Sequence, residues 1–284
     1  MRILVGYNGT DFASAALDEL AAAGLPARAE VLVLTVSEMC FATVDGAEAP
    51  AVAESGAEKL RTIFPGWSIK TKCTSGSASG EIMEAADAFH PDLIVLGERL
   101  QTTRDHNIFL GPVSQRILTN AECSVRIGRG KADRRTGETR LLIGFDGSAG
   151  AEAAVRSISL RDWPAGTKVC LLSVADSSVL GSIGRFAPQI NDAVVEARFT
   201  SQWAQTLAAD SLEDLRNAGL DASLEIRMGH HPKNTIVEFA DEWEADCIFV
   251  GPHCAGNSFE RFLLGSVSAA VAAHAACSVE VVRL

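Results

Sequence analysis

Two loops at matching positions in the chain combine small, polar and apolar residues in an order that suits phosphate binding. The later one runs 251-GPHCAGNSFERFLLGSVS-268, and the earlier one, 97-GERLQTTRDHNIFLGPVS-114, has the same length. The later loop closes on Gly265 and Ser266, just before the helical pattern 267-VSAAVAAHAA-276. Glycine lets a phosphate approach the backbone without a Cβ in the way. A serine at a helix start adds a hydroxyl and unpaired N–H groups, so this loop predicts an anion-binding site.

Further candidates lie where the predicted strands of the second half end, because open parallel sheets bind ligands at the carboxyl ends of their strands. The candidates at this edge are Gly144, Phe145, Asp146, Val174, Val250 and Gly251. Two alternatives stay open. Asp146 could instead cap the helix that follows it, and the glycines Gly251 and Gly265 could be turn residues.

The elements that carry these residues occur twice. The repeated blocks are 3-ILVGYNGTDFASAAL-17 with 141-LLIGFDGSAGAEAAV-155, 92-DLIVLG-97 with 246-DCIFVG-251, and 123-CSVRI-127 with 277-CSVEV-281. The last two pairs are 154 positions apart and the first pair 138, so the second copy holds 16 more residues, which we place in 176–198. The charged stretch 128-GRGKADRRTGETR-140 is interpreted as a linker between domains 1–128 and 139–284.

Within each copy, short runs of Val, Ile and Leu alternate with helical patterns. In the second copy the predicted strands are 141–145, 169–175, 222–228, 246–251 and 278–283. Nearly continuous apolar strands separated by helices indicate a parallel sheet that is covered on both faces. The sequence therefore predicts two tandem doubly wound, Rossmann-like α/β domains, each with a five-stranded parallel sheet. The two copies are expected to pair as a symmetric homodimer would, and further dimerisation stays open.

Composition narrows the class of function. The 284 residues carry a formal net charge of -11, which argues against a nucleic-acid or membrane partner because both reward clustered Lys and Arg. No apolar run approaches the roughly 20 residues needed to span a bilayer, and the opening 2-RILVGYNG-9 has no signal-peptide pattern. Seven scattered cysteines without a C-x-x-C pair favour a reducing cytoplasm over a disulfide framework.

A metal site is the less favoured interpretation of the histidines. His230 and His231, with His253 and Cys254, are potential zinc ligands, but adjacent residues rarely ligate one ion and no second pair has suitable spacing. We therefore expect no metal bound directly by the protein, and we place His230 and His231 in the loop after a strand, near the ligand mouth.

Four segments taken in order resemble the universal stress protein family in its tandem two-domain form, and the resemblance covers essentially the whole chain. They are 143-IGFDGS-148, 246-DCIFVGPH-253, 260-ERFLLGSVS-268 and 277-CSVEVV-282. The ATP-binding members of that family carry an Asp after the first strand. After the fourth strand they carry a Gly-x-x-Gly loop that closes on Gly-Ser or Gly-Thr. The resemblance implies an adenine-nucleotide-hydrolase-like fold and ATP binding.

The resemblance also implies a role for particular residues. Asp146 would contact adenine or ribose, and Val174 would pack on the adenine. Gly251 and His253 would border the phosphates. The residues that would hold the phosphates are Gly265, Ser266, Val267 and Ser268.

The second copy departs from the family pattern at one point. Cys254 stands where the second glycine belongs, and the 14 positions from Gly251 to Gly265 make the loop one residue longer than the pattern. Ala255 or Gly256 would then take the tight backbone position.

The first copy departs further, which predicts a scaffold half without nucleotide. Asn8 replaces the aspartate, 98-ERLQTTRD-105 has no second glycine, and Pro112 replaces the closing serine. Proline lacks the N–H and hydroxyl that would bind a phosphate.

These observations favour a cytoplasmic stress-response regulatory protein that binds ATP, or AMP or ADP, in its C-terminal half, with Mg²⁺ held only through the nucleotide. The alternative is an interaction module that binds no nucleotide in either half. A slow ATPase is less favoured, because only Arg261 and His253 lie near the loop and no Gly-Lys-Ser motif is present.

Overall fold

The first half of the chain alternates strands with helices. The computed structural model describes residues 1–37, 46–98, 101–102, 108–130, 138–176, 193–229, 231–252 and 264–283. The strands of this half are β1 (Arg2–Gly6), β2 (Glu30–Ser37), β3 (Ser68–Ser75), β4 (Leu93–Gly97), β5 (Gln101–Thr102), β6 (Ile108–Phe109) and β7 (Ser124–Gly128). Its helices are α1 (Asp11–Glu19), α2 (Ala49–Ile63), α3 (Ala78–Phe89) and α4 (Pro112–Asn120). The short strands β5 and β6 pair antiparallel, apart from the main sheet.

The second half repeats this order. Its strands are β8 (Arg140–Gly144), β9 (Lys168–Asp176), β10 (Asp221–Gly229), β11 (Cys247–Val250) and β12 (Ser278–Val281). Its helices are α5 (Ala149–Ser159), α6 (Ala193–Asn217), α7 (Pro232–Glu242) and α8 (Ser266–His274). None of the helices among these described residues is both long and apolar enough to cross a membrane.

The longer strands form a single 10-stranded sheet, in the order β10-β9-β8-β11-β12-β7-β4-β1-β2-β3. Within each half every neighbouring pair is parallel. The central strands are buried because helices cover both faces: Ile3, Leu4 and Leu142 are fully buried. The prediction of two tandem α/β domains, each with a five-stranded parallel sheet, is confirmed.

The two halves meet where β7 pairs antiparallel with β12. Arg126 lies opposite Glu280, Ile127 opposite Val279 and Val125 opposite Val281. Arg126 and Glu280 are themselves equivalent positions in the repeat, 154 residues apart. The approximate two-fold axis that relates the halves therefore passes through this residue pair.

Reciprocal hydrogen bonds cross the same junction. The backbone N–H of Arg129 donates to the Ser278 hydroxyl at 3.1 Å, and the N–H of Arg283 donates to the Ser124 hydroxyl at 3.1 Å. The guanidinium of Arg129 donates to backbone carbonyls at the end of α8, and that of Arg283 donates to the Leu118 carbonyl near the end of α4. Each half thus supplies a cation to a helix C-terminus of the other, where the helix dipole favours positive charge.

Candidate functional site

A cavity of about 430 Å³ lies at the carboxyl edge of the second half, between the ends of β8, β9 and β11 and the start of α8. It brings together ten of the residues singled out from the sequence. They are Gly144, Phe145, Asp146, Val174, Val250, Gly251, Gly265, Ser266, Val267 and Ser268. The other three predicted site residues, His253, Ala255 and Gly256, lie outside the described residues.

The cavity opens here because the chain leaves two neighbouring strands toward opposite faces of the sheet. After β8 it enters α5, whose Ala151 and Ala154 pack in one hydrophobic cluster. After β11 it reaches α8, whose Val271 and Ala272 pack in a different cluster on the other face. A crevice forms between diverging connections of this kind, at the point where the strand order reverses.

Asp146 lies on the exposed side of the cavity, in the turn between β8 and α5. Its Oδ1 accepts a hydrogen bond from the backbone N–H of Ser148 at 3.0 Å, and Gly147 between them has a φ of +74°. The N-cap of α5 is Ser148, whose hydroxyl accepts from the N–H of Ala151 at 3.2 Å. The alternative that Asp146 is the N-cap of this helix is therefore wrong. Asp146 instead stabilises the turn that precedes the N-cap residue Ser148.

The start of α8 forms the polar end of the cavity. The N-cap is Gly265, which has no side chain of its own to accept a capping hydrogen bond. The first N–H groups of a helix have no acceptor within the helix, and the helix dipole makes this end positive. The φ of -65° and ψ of 153° at Gly265 are open to any residue, so the backbone conformation does not itself require glycine at this position. This end of the cavity can accept an anion.

Two residues expected to contact phosphate also have structural roles. The buried Ser268 hydroxyl donates to the Gly251 carbonyl at 2.6 Å and so ties α8 to the end of β11. A Cβ on Gly251 would lie 2.2 Å from the backbone carbon of Gly150, so α5 packs against β11 only because Gly251 has no side chain. The recurrence of this glycine in both halves follows from the same contact, because a Cβ on Gly97 would lie 2.5 Å from the Cα of Ala13.

The sequence interpretation missed part of the cavity wall. The additional lining residues are Ser148, Ala151, Leu172, Pro232, Ile236 and Pro252. The sequence could have indicated Leu172, because it lies two residues before Val174 and so on the same face of β9. No sequence pattern pointed to Pro232 and Ile236. They belong to α7, and local sequence patterns do not place that helix beside β8.

Of the two histidines expected near the ligand mouth, the structure describes His231. His231 is the exposed N-cap of α7, immediately before the lining residue Pro232. His230 lies outside the described residues.

Few charged side chains lie in the described part of the cavity wall. Its described lining includes Asp146 but no lysine, arginine or histidine. Cys170 on β9 and Cys247 on β11 are not among its lining residues, and burial raises the pKa of Cys170 to about 11 and that of Cys247 to about 12, so both stay protonated thiols at neutral pH. The described part of the site is therefore equipped to bind a ligand with an apolar portion and an anionic end, rather than to carry out nucleophilic chemistry.

The equivalent turn in the first half has the same geometry without the charge. The Asn8 Oδ1 accepts from the N–H of Thr10 at 3.3 Å, and Thr10 caps α1 through the N–H of Ala13. Helix α4 begins at Pro112 after Gly111, whose φ of -64° and ψ of 156° nearly equal those of Gly265. The backbone geometry is thus the same in both halves, while two side chains that would face a ligand differ, at Asn8 and Pro112.

Comparison with known proteins identifies the family. The model of the universal stress protein family matches residues 1–129 and, separately, residues 138–283. The chain belongs to the universal stress protein family. The two matches show that it is a tandem universal stress protein, as the sequence predicted.

Individual relatives of this universal stress protein agree. A protein of Staphylococcus aureus (strain USA300) named as a universal stress protein is 33% identical over 151 residues, which cover 50% of this chain and 82% of the relative. Among solved structures, a universal stress protein from Archaeoglobus fulgidus DSM 4304 has a TM-score of 0.65 at 18% identity, covering 99% of this chain and 96% of the other. One from Pseudomonas aeruginosa UCBPP-PA14 has a TM-score of 0.67 at 19% identity, covering 99% and 92%. At these identities the two structures establish the shared fold.

Proposed function

We propose that this universal stress protein is a cytoplasmic regulatory protein of the stress response that binds an adenine nucleotide in its C-terminal half. The nucleotide is ATP, or its relatives ADP or AMP, and Mg²⁺ comes only with the nucleotide. The observation that carries the proposal is the convergence of residues from four separate segments, at the ends of β8, β9 and β11 and the start of α8, on one cavity of about 430 Å³. That volume lies within the range of about 300–1,000 Å³ that small-molecule sites occupy.

Each part of the cavity matches one part of such a nucleotide. Leu172, Val174 and Ile236 provide an apolar wall for the base. Asp146 offers carboxylate oxygens to hydroxyl or amino groups of the ribose and adenine. The N-terminus of α8 offers backbone N–H groups and positive potential to the phosphates.

A binding role is favoured over catalysis. Phosphoryl transfer requires a positioned base and concentrated positive charge at the transferred group. The described lining has no cationic side chain. His253 and Arg261, which lie outside the described residues, are the candidates near the loop, so we expect hydrolysis that is slow at most.

The proposed organisation has two domains, 1–128 and 139–284, that act as one unit. The pairing of β7 with β12 supports it. The cleft of the N-terminal domain is proposed to bind no nucleotide, since Asn8 and Pro112 remove a charge and an N–H donor.

One observation favours a second candidate, an interaction module without nucleotide. The Ser268 hydroxyl donates its one proton to the Gly251 carbonyl, so this donor is not available to a phosphate. The experiment that follows separates the two candidates.

The test is isothermal titration calorimetry with Mg-ATP on the full chain. We expect about one ATP bound per chain, at least about tenfold weaker binding in Asp146→Ala because a charged hydrogen-bond acceptor is lost, and no measurable binding in Gly265→Val. The matched control is Asn8→Ala at the equivalent position of the first half, which should leave the binding heat unchanged. Absence of binding by the unmodified protein would favour the interaction module, and a loss in Asn8→Ala would place the site in the wrong half.

A further inference from the structure

The side chain of Glu98 folds back onto the start of α4 in the first half. Its Oε1 accepts a hydrogen bond from the backbone N–H of Gly111 at 3.2 Å, and its Oε2 accepts a hydrogen bond from the buried hydroxyl of Ser114. The backbone N–H of Glu98 is itself held by the Gly128 carbonyl at 2.9 Å, which fixes the point from which this side chain extends. Both carboxylate oxygens are therefore engaged at one helix N-terminus.

The repeat identifies what this position corresponds to in the second half. Shifting by 154 residues maps Gly111 onto Gly265 and Ser114 onto Ser268, both of which line the proposed nucleotide cavity. The same shift maps Glu98 onto Pro252, which also lines the cavity. The carboxylate thus lies at the first half's counterpart of the anion-binding end.

A carboxylate and a phosphate present the same chemistry to these donors. Both offer anionic oxygens to a backbone N–H group and a hydroxyl, and such charge-assisted hydrogen bonds are among the stronger ones in proteins. A tethered carboxylate also has a high effective concentration compared with a free ligand. A phosphate entering this position would have to displace Glu98 while approaching its negative charge.

We infer that Glu98 is an internal substitute for phosphate that occupies the start of α4, the first half's counterpart of the anion-binding end of the cavity. The difference between Glu98 and Pro252 then acts together with the losses at Asn8 and Pro112 to direct the nucleotide to the second half. This second statement rests on the proposed function, whereas the position of Glu98 at the start of α4 does not.

The first experiment introduces a carboxylate at the equivalent position of the second half. In the full chain, Pro252→Glu places a carboxylate within reach of Gly265 and Ser268, and Pro252→Gln supplies a neutral side chain of the same length. Calorimetry with Mg-ATP should give a dissociation constant at least about tenfold weaker for Pro252→Glu than for Pro252→Gln, because a tethered like charge competes with the phosphates. Equal constants for the two variants would overturn the inference.

The second experiment requires no nucleotide binding, so it remains decisive if the unmodified protein binds no ATP. Inorganic phosphate is titrated into the wild type, Glu98→Ala and Glu98→Gln while the melting temperature is recorded. Glu98→Ala should show a saturable increase in melting temperature beyond that of the wild type, because phosphate takes the vacated position. Glu98→Gln should not, since its amide oxygen can still accept from Gly111.

Two outcomes of the phosphate titration would contradict the inference. Equal responses of the wild type and Glu98→Ala would mean that Glu98 only stabilises the loop. An added response that persists in the double variant Glu98→Ala, Ser114→Ala at full strength would mean that phosphate binds elsewhere.

Discussion

At the scale of single residues, the two halves differ in charge more than in geometry. Asp146 and Asn8 both follow a first strand, and both use Oδ1 to accept the N–H group two residues later. The turn is therefore satisfied by either side chain, since aspartate and asparagine form the same local hydrogen bond. What separates the two positions is the negative charge that Asp146 presents to its cavity.

This similarity predicts that Asp146→Asn separates binding from folding. The turn should persist, with a change in the free energy of unfolding below about 0.5 kcal/mol. The affinity for Mg-ATP should fall about tenfold, because a charged acceptor becomes neutral. Urea unfolding and calorimetry on the same preparation measure the two quantities, and a marked loss of stability would show that the carboxylate is needed for the turn.

At the scale of elements, the site depends on how closely α5 approaches the end of β11. Gly150 and Gly251 meet backbone to backbone, and the Ser268 hydroxyl then fixes α8 to the Gly251 carbonyl. The positions of the starts of α5 and α8, which both border the cavity, thus depend on the end of β11.

We expect Gly251→Ala to destabilise the protein by about 1–3 kcal/mol, because its Cβ overlaps backbone atoms that cannot move without displacing α5. Gly144→Ala is the matched control. A Cβ there would lie 3.3 Å from the Cδ1 of Ile236, the end of a side chain that can adjust. Chemical denaturation of both variants tests the comparison, and an equal loss in the two would show that the Gly150 contact is not the cause.

At the scale of the whole molecule, the junction between the halves contains a buried charge cluster. Glu280 is fully buried and is bound by Arg161 through two hydrogen bonds and by Arg126 at 3.4 Å. In a symmetric dimer of identical halves the residue at this position would face itself across the axis. The repeat instead has Arg126 on one side and Glu280 on the other, which favours pairing of unlike halves, since opposite charges attract.

Removing one partner of this cluster should be costly. Glu280→Ala removes the carboxylate that Arg161 and Arg126 share and leaves the buried Arg126 paired with Glu19 at 4.0 Å, and we expect a loss of about 3–5 kcal/mol in the free energy of unfolding. The control is Glu30→Ala, whose exposed pair with Arg2 should contribute about 0–1 kcal/mol. Guanidinium chloride unfolding gives both values, and similar small losses would contradict a structural role for the buried cluster.

The same carboxylate predicts a pH dependence of stability. Burial alone would raise the pKa of Glu280, but attraction to Arg161 and Arg126 outweighs this and lowers the pKa below its ordinary value of 4.5. A carboxyl group whose pKa is depressed by folding stabilises the protein above that ordinary value. This contribution is lost as the pH falls below 4.5 toward the folded-state pKa.

Urea unfolding at a series of pH values, from about pH 3, below the ordinary pKa of carboxyl groups, to about pH 7, where they are ionised, measures this contribution. Glu280→Gln should show a smaller loss of stability below pH 4.5 than the wild type. An identical pH profile would mean that other groups cause the acid sensitivity.

Much of the fold and the site followed from sequence patterns. The alternation of apolar strands with helices predicted the parallel sheets, and the repeat placed equivalent residues in both halves. Gly144, Asp146 and Val250 were singled out as strand-end residues and do line the cavity. This inference works because parallel strands bring their carboxyl ends to one edge, whatever the connections between them are.

The sequence by itself therefore determined the two-domain architecture, the edge of the sheet that bears the cleft and the inequality of the two copies. Tertiary structure alone decided that the Glu98 carboxylate reaches Gly111, that Ser268 bonds to Gly251, and that Arg126 faces Glu280. The physical reason is that strand and helix patterns are local, whereas these contacts join residues 13, 17 and 154 positions apart. Only the packing of α4 and α8 onto the sheet and the pairing of β7 with β12 bring such residues within hydrogen-bonding distance.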